Sequence, residues 1–301
     1  MAIDFTPYSA ANRMAARLFT CMFRQHARLR YCPDLPRLDG KLALVTGGTA
    51  GVGEFVSRGL LARGARVVSL SRGVSQGKEA LPEVQSISCD LSNLTSVAGA
   101  VDKLRDQKID LLICNSGIAL REHAMTSDGI EMTFAVNVLG HHLLYRLLQQ
   151  RGMFAINPRI VMTTSEAYFA GKTCDSNPSK YRMNQVYGGS KLGNLWQVLE
   201  LNKHYPNINS YAVHPGVILS GFGGGVPTGG FKDWLAKKIL ISEEQGAQAA
   251  LIAATQDLPN GAYWHNVCGI MSLPKGDAAL DIQKADKLWG RLEELIQPFT
   301  A

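Results

Sequence analysis

The run KLALVTGGTAGVG, Lys41 to Gly53, carries the strongest architectural signal in the chain. Its first half is a short apolar segment ending in Val45 and Thr46, and its second half is a glycine-rich turn. A helical pattern follows in Val52, Phe55, Val56 and Leu60, with Gly64 as the expected stop. Glycines at such a turn admit a tight bend and let the backbone approach a pyrophosphate. The helix start behind them offers free N–H groups and a favourable dipole. A glycine-rich turn alone is an ordinary connector; at the first strand-to-helix turn of a repeating series it reads as a phosphate cradle. No Gly-Lys-Ser or Gly-Lys-Thr is present in it, which disfavours a nucleotidase loop.

The alternation continues downstream. Strands are expected at Arg66–Leu70 and near 85–89, 109–113, 159–164 and 208–214, with helices near 94–106, 127–151 and 184–204. Strand, helix, strand at this spacing argues for right-handed crossovers and a parallel sheet, and the almost wholly apolar strands argue for cover on both faces. The fold class is α/β, a doubly wound parallel sheet of Rossmann type. The expected organisation is a basic N-terminal helical extension, 1–37, and one dinucleotide-binding domain, 38–301, with a lid at about 220–245.

The chain has 301 residues, 46% hydrophobic and 19% charged, with a net charge of +6. That size supports a sizeable core, and the composition excludes a mainly disordered chain. No run of roughly eighteen apolar residues occurs, so no spanning helix is expected. The six cysteines, Cys21, Cys32, Cys89, Cys114, Cys174 and Cys268, have no metal-ligand spacing and read as reduced thiols of a cytoplasmic protein. No metal site is expected. Residues 1–38 hold six arginines against two aspartates, so four of the six net charges belong to a tail. The near-neutral remainder argues against a nucleic-acid partner.

The end of the second strand speaks to the cofactor. An NAD protein usually offers a carboxylate there to the ribose hydroxyls. This chain offers Ser69-Leu70-Ser71-Arg72 instead. A hydroxyl and a guanidinium suit a 2′-phosphate, so NADP(H) is expected in preference to NAD(H). Two further segments carry chemistry. Tyr187 and Lys191 stand i, i+4 on a helical stretch and so share a face. A phenol of pKa about 10 is a poor base at neutral pH, and a neighbouring ammonium is expected to lower it. Ser165 ends an apolar strand at the carboxyl edge, where open sheets bind ligands. Asn137 interrupts the apolar helical run FAVNVLGHHLLYRLL. Singly, each reads equally well as a surface pair, a turn residue or a hydrogen-bonded core residue.

In order, TGGTAGVG at 46–53, Asp90-Leu91, Cys114-Asn115-Ser116-Gly117, Asn137, Ser165, YGGSK at 187–191 and His214-Pro215-Gly216 resemble the short-chain dehydrogenase/reductase family across roughly residues 40–295. GIEMTFAVNVLGHHLL, VYGGSKLGN and YAVHPGV look most like its retinol-dehydrogenase-like branch, which acts on apolar alcohols and aldehydes. The resemblance implies Tyr187 as acid/base, with Lys191 lowering its pKa and holding the nicotinamide ribose. It implies Ser165 on the reacting oxygen and Asn137 holding a water that links Lys191 to solvent. For the cofactor it implies Gly47, Thr49, Gly51, Val52 and Gly53 at the phosphates, Asp90 and Leu91 at the adenine, and Asn115 and Gly117 at the adenosine ribose. Pro215, Gly216, Val217 and Ser220 would meet the nicotinamide end. Cys114 stands where the family has Asn and Gly189 where Ala is common, while Ser220 keeps the hydroxyl of the usual Thr. The competing class is a silent NADP(H)-binding regulatory or interaction protein on the same scaffold, and a dehydratase or epimerase using the same tyrosine is a lesser alternative.

Phe222, Val226, Phe231, Trp234, Leu235, Ile239 and Leu240, with Tyr168 and Phe169, are expected to form an apolar substrate wall. This favours a bulky retinoid-, steroid- or lipid-like alcohol or carbonyl. His141, His142 and His265 read as structural or surface residues. In the extension, Arg13, Arg17, Arg24 and Arg28 share one side of a helical wheel, opposite Met14, Leu18, Phe19 and Met22. Such a helix, within residues 8–30, suits peripheral contact with a membrane surface, docking on its own domain or a partner subunit, or a cleaved presequence. The family resemblance also implies a homodimer, paired through the helices that flank the active site.

Overall fold

The computed structural model describes residues 6–9, 23–33, 35–73, 81–105, 107–218 and 239–301. Nine strands form one sheet: β1 (Tyr8–Ser9), β2 (Leu42–Thr46), β3 (Arg66–Ser71), β4 (Val84–Ser88), β5 (Ile109–Cys114), β6 (Phe154–Thr163), β7 (Asn209–His214), β8 (Tyr263–His265) and β9 (Gly269–Ser272). Their order is β1-β9-β8-β7-β6-β5-β2-β3-β4, and only β8 and β9 pair antiparallel. From β2 the chain winds outward through β3 to β4, then crosses back to β5 on the other side of β2. That reversal opens a crevice beyond the carboxyl ends of β2 and β5, where such sheets take their ligands.

The expected doubly covered strands are present. Leu42 and Leu44 of β2 join one buried cluster, Ala43 and Val45 the other. Helices α1 (Gly51–Leu61) and α5 (Glu243–Thr255) cover the second face. Helices α2 (Leu94–Leu104), α3 (Gly140–Gln150), α4 (Met183–His204) and α6 (Ile282–Thr300) lie over the first.

Three boundaries differ from expectation. The helix read over 127–151 begins only at Met132, because the Glu131 carboxylate accepts from the N–H groups of Thr133 and Phe134 at 2.8 and 2.7 Å and caps it. It passes through a π-type turn at Ala135–Leu139 before continuing as α3. The span read as a lid, 220–245, takes in the start of α5, where Ser242 and Gln245 form a capping box; residues 219–238, with Ser220, Phe222, Val226, Phe231, Trp234 and Leu235, lie outside the described residues. In the extension, Tyr8 and Ser9 are strand rather than helix, pairing with Met271 and Ser272 at the sheet edge. Residues 23–28 are helical, while 10–22, including Arg13 and Arg17, lie outside the described residues. Of the roles weighed for the extension, docking on its own domain is seen: Arg30 N–H donates to Asn266 O and Cys32 N–H to Gln248 Oε1, both at 2.9 Å. No helix among the described residues is long and apolar enough to cross a membrane.

Candidate active site

The glycine loop leaves β2 through Gly47, at φ +66, and reaches Gly51, at φ +57, both conformations that disfavour a side chain. A Cβ on Gly53 would lie 2.2 Å from Gly47 O, so α1 can pack this close to the loop only with glycine there. Ala50 at the N-cap supplies no side-chain hydrogen bond, which leaves the first N–H groups of α1 for an anion. Thr46 ties the loop to the next strand: its Oγ1 accepts from Asn115 N and Ser116 N at 2.9 and 3.0 Å. Asn115 Nδ2 donates to Thr46 O at 3.1 Å. Thr49 Oγ1 lies 3.5 Å from Ser71 Oγ, with exposed Arg72 next in the chain. Asp90 Oδ1 accepts from Ser92 N and Oγ at 2.9 and 2.7 Å, which fixes the carboxylate beyond β4.

The catalytic candidates meet where β5, β6 and α4 converge. Ser165 caps a short 3-10 turn, its Oγ accepting from Ala167 N at 3.1 Å, and it shares a side-chain hydrogen bond with Tyr187. Lys191 is buried; its Nζ donates to Thr163 O at 3.0 Å and lies 5.6 Å from the centre of the Tyr187 ring. A Cβ on Gly117 would lie 3.3 Å from that Nζ and 3.4 Å from Asn137 Oδ1, so the Asn115–Gly117 run floors the same site. Asn137 sits in the π-type turn, a distortion found frequently at functional sites. Its amide is held firmly: Oδ1 accepts from Ile118 N at 2.8 Å, and Nδ2 donates to Ile118 O and Ser190 Oγ, both at 2.9 Å.

Burial sets the electrostatics of the pair. Burial pushes the Tyr187 phenol up to about 12, against the lowering effect of Ser165, and burial pushes Lys191 down to about 8. Desolvation therefore dominates at both groups. The phenol is thus protonated at neutral pH.

Other expectations also change. Tyr168 belongs to the core, fully buried, its hydroxyl donating to Asp277 at 2.9 Å, so it is no substrate wall; Phe169 stacks on it at 4.5 Å. Cys114 is packed in the core with its thiol pushed well up by burial, which fits a packing role for that departure. His141, His142 and His265 are all buried. Sequence reasoning passed over the tight seam at the head of α4. A Cβ on Gly189 would lie 2.2 Å from Thr173 O, and one on Gly188 2.5 Å from Ala167 O. The signal was there, since a Gly-Gly pair inside a helix costs about 2 kcal/mol against alanine and needs a packing reason.

A family model for short chain dehydrogenases matches residues 41–227. The chain belongs to that family, whose members are alcohol and carbonyl oxidoreductases on a fold that binds a nicotinamide cofactor. Retinol dehydrogenase 12 of Mus musculus is 31% identical over 283 residues, 88% of this chain and 89% of its own. Retinol dehydrogenase 11 of Homo sapiens is 31% identical over 239 residues, 74% and 75% respectively. Among solved structures, a Mycobacterium paratuberculosis protein matches with a TM-score of 0.71 at 27% identity, covering 88% of this chain and 96% of that one. A short chain dehydrogenase from Burkholderia cenocepacia J2315, solved with NADP, matches with a TM-score of 0.58 at 23% identity, covering 77% and 98%, a likeness of fold alone.

Proposed function

We propose that the chain is an NADP(H)-dependent alcohol dehydrogenase or carbonyl reductase acting on a bulky apolar alcohol, aldehyde or ketone of retinoid, steroid or lipid type. The observation that carries it is the joining of Ser165 and Tyr187 by a hydrogen bond with buried Lys191 beside them. A protein that only senses a dinucleotide has no need of that set. The glycine cradle fits a dinucleotide pyrophosphate, with Gly47, Thr49, Gly51, Val52 and Gly53 around it. Asp90, Leu91, Asn115 and Gly117 serve the adenosine half, and Pro215, Gly216, Val217 and Lys191 the nicotinamide half; Ser220 would join them. Ser71 and Arg72 hold the 2′-phosphate.

When bound, the nicotinamide supplies the hydride chemistry. The chain supplies the proton and the geometry. Ser165 Oγ hydrogen-bonds the substrate oxygen, and Tyr187 Oη gives that oxygen its proton in reduction or receives it in oxidation. Acid–base help of this kind contributes typically about 10²–10⁴-fold, and orientation and oxyanion stabilisation supply the rest. Asn137 holds the Lys191 end of the site through Gly117 and Ile118. For the extension, exposed Arg24 and Arg28 and the 59% exposed Phe23 support peripheral membrane contact in a cytoplasmic protein.

The test is turnover of retinal, steroid-ketone and aliphatic-aldehyde panels with NADPH and NADH by wild type and Tyr187→Phe. Expected is consumption of NADPH by wild type, lost about 10²-fold or more in the variant, with NADPH binding kept. Binding without turnover by either protein hands the case to the sensor reading. Arg72→Ala should weaken NADPH binding and leave NADH nearly unaffected; equal losses would sink the 2′-phosphate assignment.

A further inference from the structure

We propose that Gln25, in the extension ahead of the matched family region at 41–227, is a positioning residue for the segment after β7, and through it for the nicotinamide end of the cofactor. This rests on the reading that residues 215–217 flank that ring. Gln25 lies on the helical turn of the extension, where Arg24, His26, Ala27 and Arg28 are all exposed, yet it is itself 0% exposed. Its carboxamide reaches across the fold to Val217. Oε1 accepts from Val217 N at 3.1 Å; Nε2 donates to Val217 O at 3.1 Å and also to Ile239 O.

Pairing with both the N–H and the C=O of one residue is how a neighbouring strand would hold it. Val217 is gripped from elsewhere as well: its carbonyl accepts from Ile241 N at 3.1 Å, and Ile218 bridges Ile241 in parallel. Gln25 thus closes a small ladder that fastens the chain on both sides of residues 219–238, which are themselves outside the described residues. Gly216 turns the chain out of β7 at φ +101, and a Cβ there would lie 3.2 Å from Gln25 Oε1 and 2.7 Å from Ile241 Cδ1. The carboxamide is therefore packed against the turn as well as bonded to the residue after it.

The extension reaches the same segment by a second route. Arg30 N–H donates to Asn266 O, and Asn266 Nδ2 donates to Pro215 O and to Gln245 O, both at 2.9 Å. Pro215 and Val217 are thus each held through the extension, on either side of Gly216. A segment held at its backbone can present a fixed surface to a ligand without an ordering cost at binding. Linkage makes the effect reciprocal: cofactor binding at this segment tightens the docking of the extension.

The test uses the full-length chain with Gln25→Ala, Gln25→Glu and, as control, Arg28→Ala on the exposed side of the same turn. The readouts are NADPH affinity by protein-fluorescence quenching, separate KM values for cofactor and carbonyl substrate, and hydrogen exchange over residues 215–218. Gln25→Ala should weaken NADPH about tenfold, the scale of losing buried hydrogen bonds. The carbonyl KM should stay within about twofold, and the 215–218 amides should exchange faster. Gln25→Glu keeps the acceptor but turns a carboxylate oxygen toward the carbonyls of Val217 and Ile239, so it should lose at least as much as Gln25→Ala, and Arg28→Ala should match wild type. NADPH affinity unchanged in both Gln25 variants overturns the proposal, as does a uniform loss in which both KM values, kcat and Tm move together. If wild type binds no dinucleotide, the active-site reading itself has failed. The clamp is then judged on exchange alone, and unchanged exchange at 215–218 overturns it.

Discussion

Tyr187 and Lys191 are shifted in opposite directions, the phenol up to about 12 and the ammonium down to about 8, both chiefly by burial. Carbonyl reduction needs the phenol protonated and the lysine charged. The phenol keeps its proton far into alkali, whereas the lysine loses its charge as pH rises through about 8. We therefore expect kcat/KM for reduction to fall above about pH 8, because that ratio reports the free enzyme. A profile flat to pH 10, or one unmoved in Lys191→Arg, would count against Lys191 as the titrating group. Gly189 makes a second prediction. An alanine Cβ would fall 2.2 Å from a backbone carbonyl, which cannot swing aside as a side chain can. Gly189→Ala should cost about 1–3 kcal/mol in urea denaturation, as overpacking does, and should disturb neighbouring Tyr187. Unchanged stability would mean that the seam between α4 and Thr173 is slack. Residues with a chemical pattern, such as the Tyr187–Lys191 spacing, were readable from sequence. Gly189 read as a mere departure because its reason is a contact with a distant backbone.

His141 shows how an element is tied in. It stands one turn beyond Asn137, where the π-type turn gives way to α3, and joins that helix to β2. Its Nε2 lies 2.9 Å from Thr46 Oγ1, and its Nδ1 3.3 Å from Asn137 O. Burial, with help from the nearby Lys191 charge, pushes it from an ordinary 6.5 down to about 4. As pH falls through 6.5 the unfolded chain takes up a proton that the folded chain refuses until about pH 4. Stability therefore falls across that window, by about 3 kcal/mol at this site. Urea midpoints of wild type and His141→Gln between pH 7 and 4 should converge as the pH drops; parallel curves would show that His141 takes up its proton alike in the folded and unfolded chain. The elements themselves were largely legible, because β2 to β7 are mostly apolar strands, α1 to α3 carry helical periodicity and α4 fills the interval between two strands. What was missed is short or conditional. β8 spans only three residues. β1 exists by virtue of the β9 edge, and α5 is an alanine-rich helix whose pattern has no sharp face.

At the level of the whole molecule, the face formed by α3 and α4 is already covered by the chain's own C-terminus. From α6, Leu288, Trp289, Leu292 and Ile296 are buried against it. The Trp289 ring lies 4.8 Å from His142 and stacks on His204 at 4.7 Å. Glu293 receives Arg146 through a two-pronged contact at 2.6 and 2.9 Å and lies 2.8 Å from His142 Nε2. These partners hold its carboxyl down at about 2, against the burial that opposes them. The outward side of α6 is charged, with Lys284, Asp286, Lys287, Arg291 and Glu294 exposed. A second copy could use α3 and α4 only by first stripping α6 away, exposing that apolar strip and breaking the Arg146–Glu293 pair. An exposed charged face gives little association in return. We propose that any pairing of this chain leaves α6 in place and so does not use α3 and α4 directly, as the family resemblance implies it would. Light scattering behind size exclusion at micromolar concentration should give the same mass for wild type, Arg291→Glu and Glu294→Lys. Leu292→Asp, placing a charge beneath α6, should destabilise the fold by several kcal/mol, in the manner of an unpaired buried charge. A stable dimer that Arg291→Glu or Glu294→Lys breaks would place α6 inside an interface instead, and would overturn this account of what the helix covers.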